Sequence, residues 1–127
     1  MGNKNRINKT SSKNRMGIKE TMKETIKETM KETVKHYLQI TKEALDKARK
    51  AISNNNAISN SNSGKKQAAI VLDMAERYYK DAIYWQKKKQ LVTALAAVSY
   101  AHGWIDCGSK LGLFNVKDSR LFIIKCL

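Results

Sequence analysis

The stretch from Tyr78 to Val116 holds most of the chain's aromatic residues and its densest run of alanine and glycine. Apolar residues recur in it at the three- and four-residue spacing of an amphipathic helix, with an interruption at Lys89 and Gln90. Gly112 follows the last periodic residues, where a left-handed glycine typically ends a helix. The stretch therefore predicts a helical hairpin whose apolar faces need further helices to cover them.

The composition favours helix over sheet. The 127 residues include no proline, and good helix formers such as alanine, lysine, glutamate, methionine and leucine dominate outside the loops. This length, with 42% apolar residues, fits one domain with tails. We therefore predict an all-α fold: a three-helix bundle with antiparallel neighbours, an extended first helix and a disordered basic N-terminal arm.

Four segments differ in composition. Residues 1–17 are mostly Asn, Lys, Ser and Arg and bury too little apolar surface to order, so we expect a disordered arm. Residues 18–31 repeat the tetrapeptides IKET and MKET and predict a helical extension, and residues 32–116 carry the bundle. Residues 117–127 are a short tail with an apolar run. The sequence does not decide whether this tail covers the core as a lid or forms an exposed end.

The repeat places an apolar side chain at every fourth residue, beginning with Ile18, Met22 and Ile26. This period overshoots the 3.6-residue turn by about 40° per step, so the apolar stripe winds around the helix. One flat neighbour cannot cover such a stripe along its whole length. Two interpretations stay open: a frayed helical extension, and a surface for a protein partner or for a second copy of the chain.

The sequence also predicts the helix boundaries. We expect the first helix to end near Ile52, a flexible Asn/Ser-rich connection over residues 53–64, a second helix over about residues 65–88, and a third from Leu91. Gly103 lies in the middle of the third helix, where glycine costs about 1 kcal/mol relative to alanine. Close packing of a bulky neighbour, such as an aromatic side chain, is the expected reason.

Three motifs in order resemble a known family: YYKDA at 78–82, AAVSYAHGWIDCG at 96–108 and LGLF at 111–114. Their sequence and spacing are similar to those of the archaeal family called domain of unknown function 357, over about residues 32–116. The resemblance implies a spectrin-repeat-like three-helix bundle, and no activity is known for the family. Many members have Gly-Asp where this chain has Lys89 and Gln90, so the resemblance does not extend to that turn.

The chain is strongly basic, with 25 Lys and Arg against 11 Asp and Glu and a formal net charge of +14. Such a surplus attracts polyanions, whether RNA, DNA or an anionic membrane surface. Two roles are open for the N-terminal arm: it binds nucleic acid, or it is a tail that only increases solubility. The candidate nucleic-acid-binding residues are Lys4, Arg6, Lys9, Lys13 and Arg15 in the arm, and Lys87, Lys88 and Lys89 at the end of the second helix.

Aromatic and acidic side chains on the second and third helices are the candidate ligand site. Asp81 and Asp106 are set among apolar residues, and a buried carboxylate needs hydrogen-bond donors such as tyrosine hydroxyls. A cluster of mutually satisfied structural residues is the alternative to a small-ligand or partner pocket. The group comprises Tyr78, Tyr79, Asp81, Tyr100, Trp104 and Asp106.

Catalytic and metal sites are not indicated by the sequence. His102 and Asp106 share a helical face, but Cys107 points about 140° away from His102, so a zinc site lacks ligands. No base shares the face of Cys107, which argues against a nucleophilic cysteine. We predict no enzyme activity, no cofactor and no metal.

Localisation and function are inferred from the same features. Two cysteines make no disulfide framework, and no apolar run is long enough for a membrane span, so we expect a soluble cytoplasmic protein. The function predicted is a non-catalytic interaction module that binds a protein partner, nucleic acid or both. The alternative is a ligand-binding or enzymatic domain that uses the Tyr/Asp/Trp group. A helix lying on anionic lipid is a third possibility, which the winding stripe disfavours.

Overall fold

Residues 2–53 and 62–122 are described by the computed structural model of the protein, with side chains placed for residues 15–53 and 63–122. Three helices follow one another: α1 (Gly2–Ser53), α2 (Asn62–Lys87) and α3 (Leu91–Lys110). The described residues contain no strand, so the prediction of an all-α three-helix bundle is confirmed. The middle of the connection predicted to be flexible, residues 54–61, lies outside the described residues.

The chain divides into two compact units, residues 1–32 and residues 33–127. Because α1 begins at Gly2, the structure differs from the expectation of disorder in the arm. The physical reason is that this proline-free segment continues the helix of the repeat, and adding turns to an existing helix avoids the cost of nucleation. The side chains of residues 1–14 lie outside the described residues.

Two clusters of buried side chains hold the second unit together. The larger one joins several alanines and a leucine of α1 to Val71 and Leu72 of α2 and to Ile105 of α3. The smaller one joins Val34 and Leu38 of α1 to alanine and valine side chains of the other two helices. Both clusters contain side chains from all three helices. Removing any one helix would therefore expose the core. None of the described helices combines the length and the apolar character that a membrane crossing requires.

The end of α3 is a left-handed glycine cap. Gly112 has a φ of 74°, and its N–H donates to the carbonyl of Ser109 at 3.1 Å. The N–H of Leu113 donates to the carbonyl of Gly108 at 2.9 Å. These two bonds define the Schellman motif, in which glycine is the usual residue at the left-handed position. The cap predicted at Gly112 is confirmed.

The tail after this cap lies on the core as far as Phe122. Leu121 and Phe122 are 2% and 3% exposed and belong to the larger cluster. Asp118 accepts a hydrogen bond from Lys47 of α1 at 2.6 Å. This bond, and then one from Arg120, hold the pKa of the Asp118 carboxyl well below its usual range. Of the two possibilities for the tail, the structure therefore shows the lid; the residues after Phe122 lie outside the described part of the chain.

The explanation predicted for Gly103 is wrong. A Cβ added to it would meet nothing within 4 Å, and the residue is exposed. The closely packed glycine of α3 is Gly108, where an added Cβ would lie 2.7 Å from the Phe114 ring and 2.9 Å from a methyl group of Val71. Five residues separate the two glycines, a rotation of about 140°, so they lie on different faces of the helix.

The turn between α2 and α3 puts a lysine in the left-handed conformation. Lys89 has a φ of 61°, and its N–H donates to the carbonyl of Gln86 at 3.0 Å. The N–H of Gln90 donates to the carbonyl of Trp85 at 2.9 Å. This is again the Schellman pattern. The turn is therefore tight, although a side chain with a Cβ disfavours the conformation that it requires.

Replacing Lys89 with glycine is therefore expected to stabilise the protein. Relief of the left-handed strain outweighs the extra freedom that glycine gives the unfolded chain, and we expect the free energy of unfolding to rise by about 0.5–1 kcal/mol. Urea unfolding followed by circular dichroism measures the change. Lys88→Gly is the matched control, because Lys88 has no positive φ, and it should not stabilise. An equal gain at both positions would contradict the strain argument.

Candidate functional site

Three residues of the predicted Tyr/Asp/Trp group form a row of aromatic rings at the surface of α2 and α3. Ring centroids are 4.5 Å apart for Tyr78 and Tyr100 and 6.4 Å apart for Tyr100 and Trp104, both in edge-to-face geometry. Tyr100 is 55% exposed. An open, mainly apolar concavity lies beside Tyr100 and Trp104 and is also lined by Gly103 and Cys107. The row is thus a surface feature with few polar groups.

The other three residues of the group lie elsewhere. Tyr79 packs against both core clusters, and its burial, followed by the nearby carboxylate of Asp46, raises its pKa. Asp81 is exposed rather than set among apolar residues. Asp106 is half-buried, and its Oδ1 lies 3.7 Å from Nε2 of His102. The six residues therefore do not line one cleft, and the geometry gives little support to a ligand site built from them.

His102 makes a buried connection that the sequence interpretation missed. Its Nε2 lies 2.7 Å from the carbonyl oxygen of Leu121, and its Nδ1 lies 3.1 Å from the hydroxyl of Thr41 on α1. A carbonyl only accepts, so Nε2 donates, and in the neutral ring Nδ1 accepts from the Thr41 hydroxyl. Thr41 is fully buried, and a buried hydroxyl needs a partner. The place of Thr41 in the apolar stripe of the first helix could have indicated that its hydroxyl is buried and needs a partner, although not which partner.

No three side chains of His, Cys, Asp or Glu come close enough to hold a metal ion among the residues that the structure describes. His102 is occupied by the core contacts given above, and Cys107 is exposed. The absence of a metal and of catalysis stays a prediction.

One of the lysines at the end of α2 lies over an aromatic ring. Lys88 Nζ lies 5.6 Å from the centroid of the Tyr84 ring, and the Tyr84 and Trp85 rings pack edge to face with centroids 5.1 Å apart. Tyr84 is 52% exposed, and the three lysines are exposed. We call Tyr84, Lys87, Lys88 and Lys89 the α2 basic end. The sequence pattern indicated the lysines of this surface but not the exposure of Tyr84.

In the described ranges, no acidic side chain forms an ion pair with the lysines of the α2 basic end. Among the described side chains, the ion pairs of the bundle involve other basic residues, such as Arg49 with Glu76 at 2.7 Å and Arg77 with Asp73 at 2.9 Å. Lys87, Lys88 and Lys89 take part in none of them. Within the part of the chain that the structure describes, the end of this helix is therefore a run of three exposed lysines without an acidic partner.

The candidate residues of the arm are only partly described. Arg15 is exposed, whereas the side chains of Lys4, Arg6, Lys9 and Lys13 lie outside the described residues. Their contribution to nucleic-acid binding stays a prediction.

Comparison with known proteins identifies the family. No curated protein and no solved structure shows significant similarity to the chain. A family model described as "Protein of unknown function (DUF357)" matches residues 36–114. The match covers more than half of the chain, includes α2 and α3, and confirms the resemblance that the three sequence motifs indicated. The chain therefore belongs to the DUF357 family of proteins of unknown function.

Proposed function

We propose that the protein is a non-catalytic module that binds single-stranded nucleic acid through the α2 basic end, in the cytoplasm, with the basic arm adding affinity. The observation that carries the proposal is an exposed tyrosine ring with the Lys88 ammonium 5.6 Å from its centroid, together with exposed lysines on both sides of Lys88 in the sequence. Single-strand binding sites combine positive charge with exposed aromatic rings in the same way.

The charge of the α2 basic end favours binding to phosphate groups. Three consecutive lysines outweigh the roughly half negative charge that a helix dipole places at the end of α2. The last carbonyls of the helix are also bonded within the turn, which leaves fewer exposed acceptors to repel a phosphate. Binding to the phosphate backbone should therefore be favourable and should weaken as salt increases.

The Tyr84 ring favours binding to an unpaired base. More than half of this residue is exposed, so a base can reach the ring, and stacking on an aromatic side chain contributes about 1–3 kcal/mol per base. A double helix keeps its bases stacked on one another, so this contribution favours a single strand over a duplex.

The test is a fluorescence anisotropy titration of single-stranded RNA and DNA oligonucleotides against the full chain, at about 50 and 200 mM salt. Replacing Lys87, Lys88 and Lys89 together with glutamine is expected to weaken binding about tenfold at the lower salt and to reduce the salt dependence. Tyr84→Ala should weaken binding to single strands more than to duplexes.

The matched control removes the same charge elsewhere, by replacing Lys65, Lys66 and Lys110 together with glutamine. Lys65 lies about 33 Å from the end of α2, because each helical residue rises about 1.5 Å, and Lys110 ends the antiparallel neighbour. We expect this variant to bind nearly as well as the unchanged protein. An equal loss in both variants, or no binding at low salt, would exclude the α2 basic end as the site.

A further inference from the structure

The row of rings formed by Tyr78, Tyr100 and Trp104, which we call the aromatic row, leaves one ring open to solvent. Tyr100 is 55% exposed, and the two neighbouring rings lie at 85° and 88° to it. Neither neighbour is therefore stacked on the Tyr100 ring. A ring that is held by its neighbours and still open to solvent is a preformed platform on which another flat group can stack.

Gly103 keeps the surface beside this ring open. It lines the concavity together with Ser99, Tyr100, Trp104 and Cys107, and a Cβ added to it would meet no described atom within 4 Å. Packing within the described bundle therefore does not require a glycine here, although glycine in the middle of a helix costs about 1 kcal/mol relative to alanine. A group from outside the chain that occupies the concavity would explain the glycine.

The size and chemistry of the concavity favour a single flat ring as its occupant. Its volume is about 300 Å³, at the lower end of the range for small-molecule sites, which suits one ring system better than a helix or strand of a partner. Its lining is mainly apolar and includes the side chains of Tyr100 and Trp104. Stacking is the contact that such a surface offers, and any nucleobase can make it because every base has a π face.

The aromatic row adjoins the α2 basic end. Trp85 packs against Tyr84 and follows Tyr78 by seven residues, so Trp85 and Tyr78 leave α2 in directions about 20° apart and lie about 10 Å apart along the helix. Tyr78 in turn contacts Tyr100 of α3. A single strand covers this gap with about three nucleotides, even at the spacing of about 3.4 Å along one strand of DNA. One strand can therefore reach both surfaces.

We propose that the aromatic row is a second stacking platform for the single strand that the α2 basic end binds, with a nucleobase in the concavity beside Tyr100. This inference rests on the proposed function and adds to it the direction in which the strand leaves the lysines. The lysines hold phosphate groups at the end of α2, and Tyr84 and Tyr100 each take a base.

Asp81 decides which side of the strand faces the protein between the two platforms. It is exposed and lies on α2 three residues after Tyr78 and four residues before Trp85. Its carboxylate repels phosphate groups, so a strand that crosses here turns its bases toward the protein and its backbone toward solvent. Asp81→Asn should therefore strengthen binding about twofold, and weaker binding of this variant would contradict the path.

Fluorescence anisotropy of a single-stranded oligonucleotide of about 12 nucleotides, titrated with the full chain, tests the proposal. Tyr100→Leu removes the flat ring and keeps an apolar side chain, and it should weaken binding at least about fivefold. Because stacking neutralises no phosphate, the dependence of the binding constant on salt should not change in this variant, whereas replacing the three lysines reduces it. Tyr100→Phe keeps the ring and should bind like the unchanged protein.

Gly103→Leu separates a loss of binding from a loss of folding. The new side chain would fill the concavity, so binding should weaken by a similar factor. The free energy of unfolding should not fall, because an added Cβ meets no described atom and leucine is the better helix former. The matched control is Ala69→Leu. Ala69 is exposed and lies on the opposite side of α2 from Tyr78, so this variant should bind like the unchanged protein.

These measurements distinguish the second platform from the site at the lysines. Binding that is weakened in the lysine variant but unchanged in Tyr100→Leu and Gly103→Leu would overturn the second platform and leave the α2 basic end as the site. No binding by the unchanged protein at low salt would overturn both. Photo-cross-linking with iodouracil at successive positions of the strand locates the bases. We expect adducts on Tyr84 and, from other positions, on Tyr100 or Trp104, and adducts on Tyr84 alone would contradict the proposal.

Discussion

Replacing His102 with alanine is expected to lower the free energy of unfolding by about 3 kcal/mol, since each buried polar group left without a partner costs about 1–3 kcal/mol. The change removes the acceptor of the Thr41 hydroxyl and the donor to the Leu121 carbonyl at once. It also removes a ring that joins α1, α3 and the tail. Urea unfolding at neutral pH gives the free energy, and hydrogen exchange shows whether the tail opens first.

His36→Ala is the control for this prediction. His36 is an exposed histidine of α1, and a surface substitution of this kind usually changes stability by less than about 0.5 kcal/mol. Thr41→Val should reproduce part of the loss, because it removes one of the two hydrogen bonds and keeps the shape of the side chain. Equal stability of the His102→Ala and His36→Ala variants would show that the buried contacts contribute nothing.

Gly108→Ala is expected to destabilise the protein by about 2 kcal/mol, even though alanine is the better helix former by about 1 kcal/mol. The new methyl group would overlap the Phe114 ring and a methyl of Val71, at 2.7 and 2.9 Å. Phe114 is 1% exposed, so its ring would have to displace other core side chains to make room. Gly103→Ala makes the same chemical change in the same helix, and it should stabilise by about 0.5–1 kcal/mol because nothing opposes the gain in helix propensity.

A double-mutant cycle identifies the cause of the loss at Gly108. In a Phe114→Leu background the smaller side chain leaves room for the added methyl group, so Gly108→Ala should cost less than in the unchanged protein. Equal costs in the two backgrounds would show that the overlap with Phe114 is not responsible. Differential scanning calorimetry of the four proteins measures the cycle.

The local features of this fold could be predicted from the sequence, whereas the long-range contacts could not. The left-handed cap at Gly112 was predictable because it depends on a single residue and its neighbours. The roles of Gly103 and Gly108 were not, since small residues on several faces of α3 leave the rotation of that helix undetermined. The contact between Thr41 and His102 joins residues 61 positions apart, and helical periodicity carries no information about which polar groups meet across the core.

The same lack of information about long-range contacts explains why only part of the candidate site could be predicted. The lysines after Trp85 were visible as a run of charge, but the exposure of Tyr84 depends on how α2 is turned toward its neighbours. Asp81 and Asp106 were grouped because both are set among apolar residues on neighbouring helices, and the packed bundle leaves Asp81 in solvent and puts Asp106 beside His102. Spacing places residues on a face of a helix, and packing decides what that face touches.

The buried tail has a practical consequence for where this protein can be divided. Similarity to the family ends at residue 114, yet Leu121 and Phe122, beyond that limit, fill the same interior as Phe114. A fragment trimmed to the bounds of the family match would expose apolar core surface where those two side chains had been. In this protein the family match and the packed core end at different residues, and the longer of the two is the piece to express.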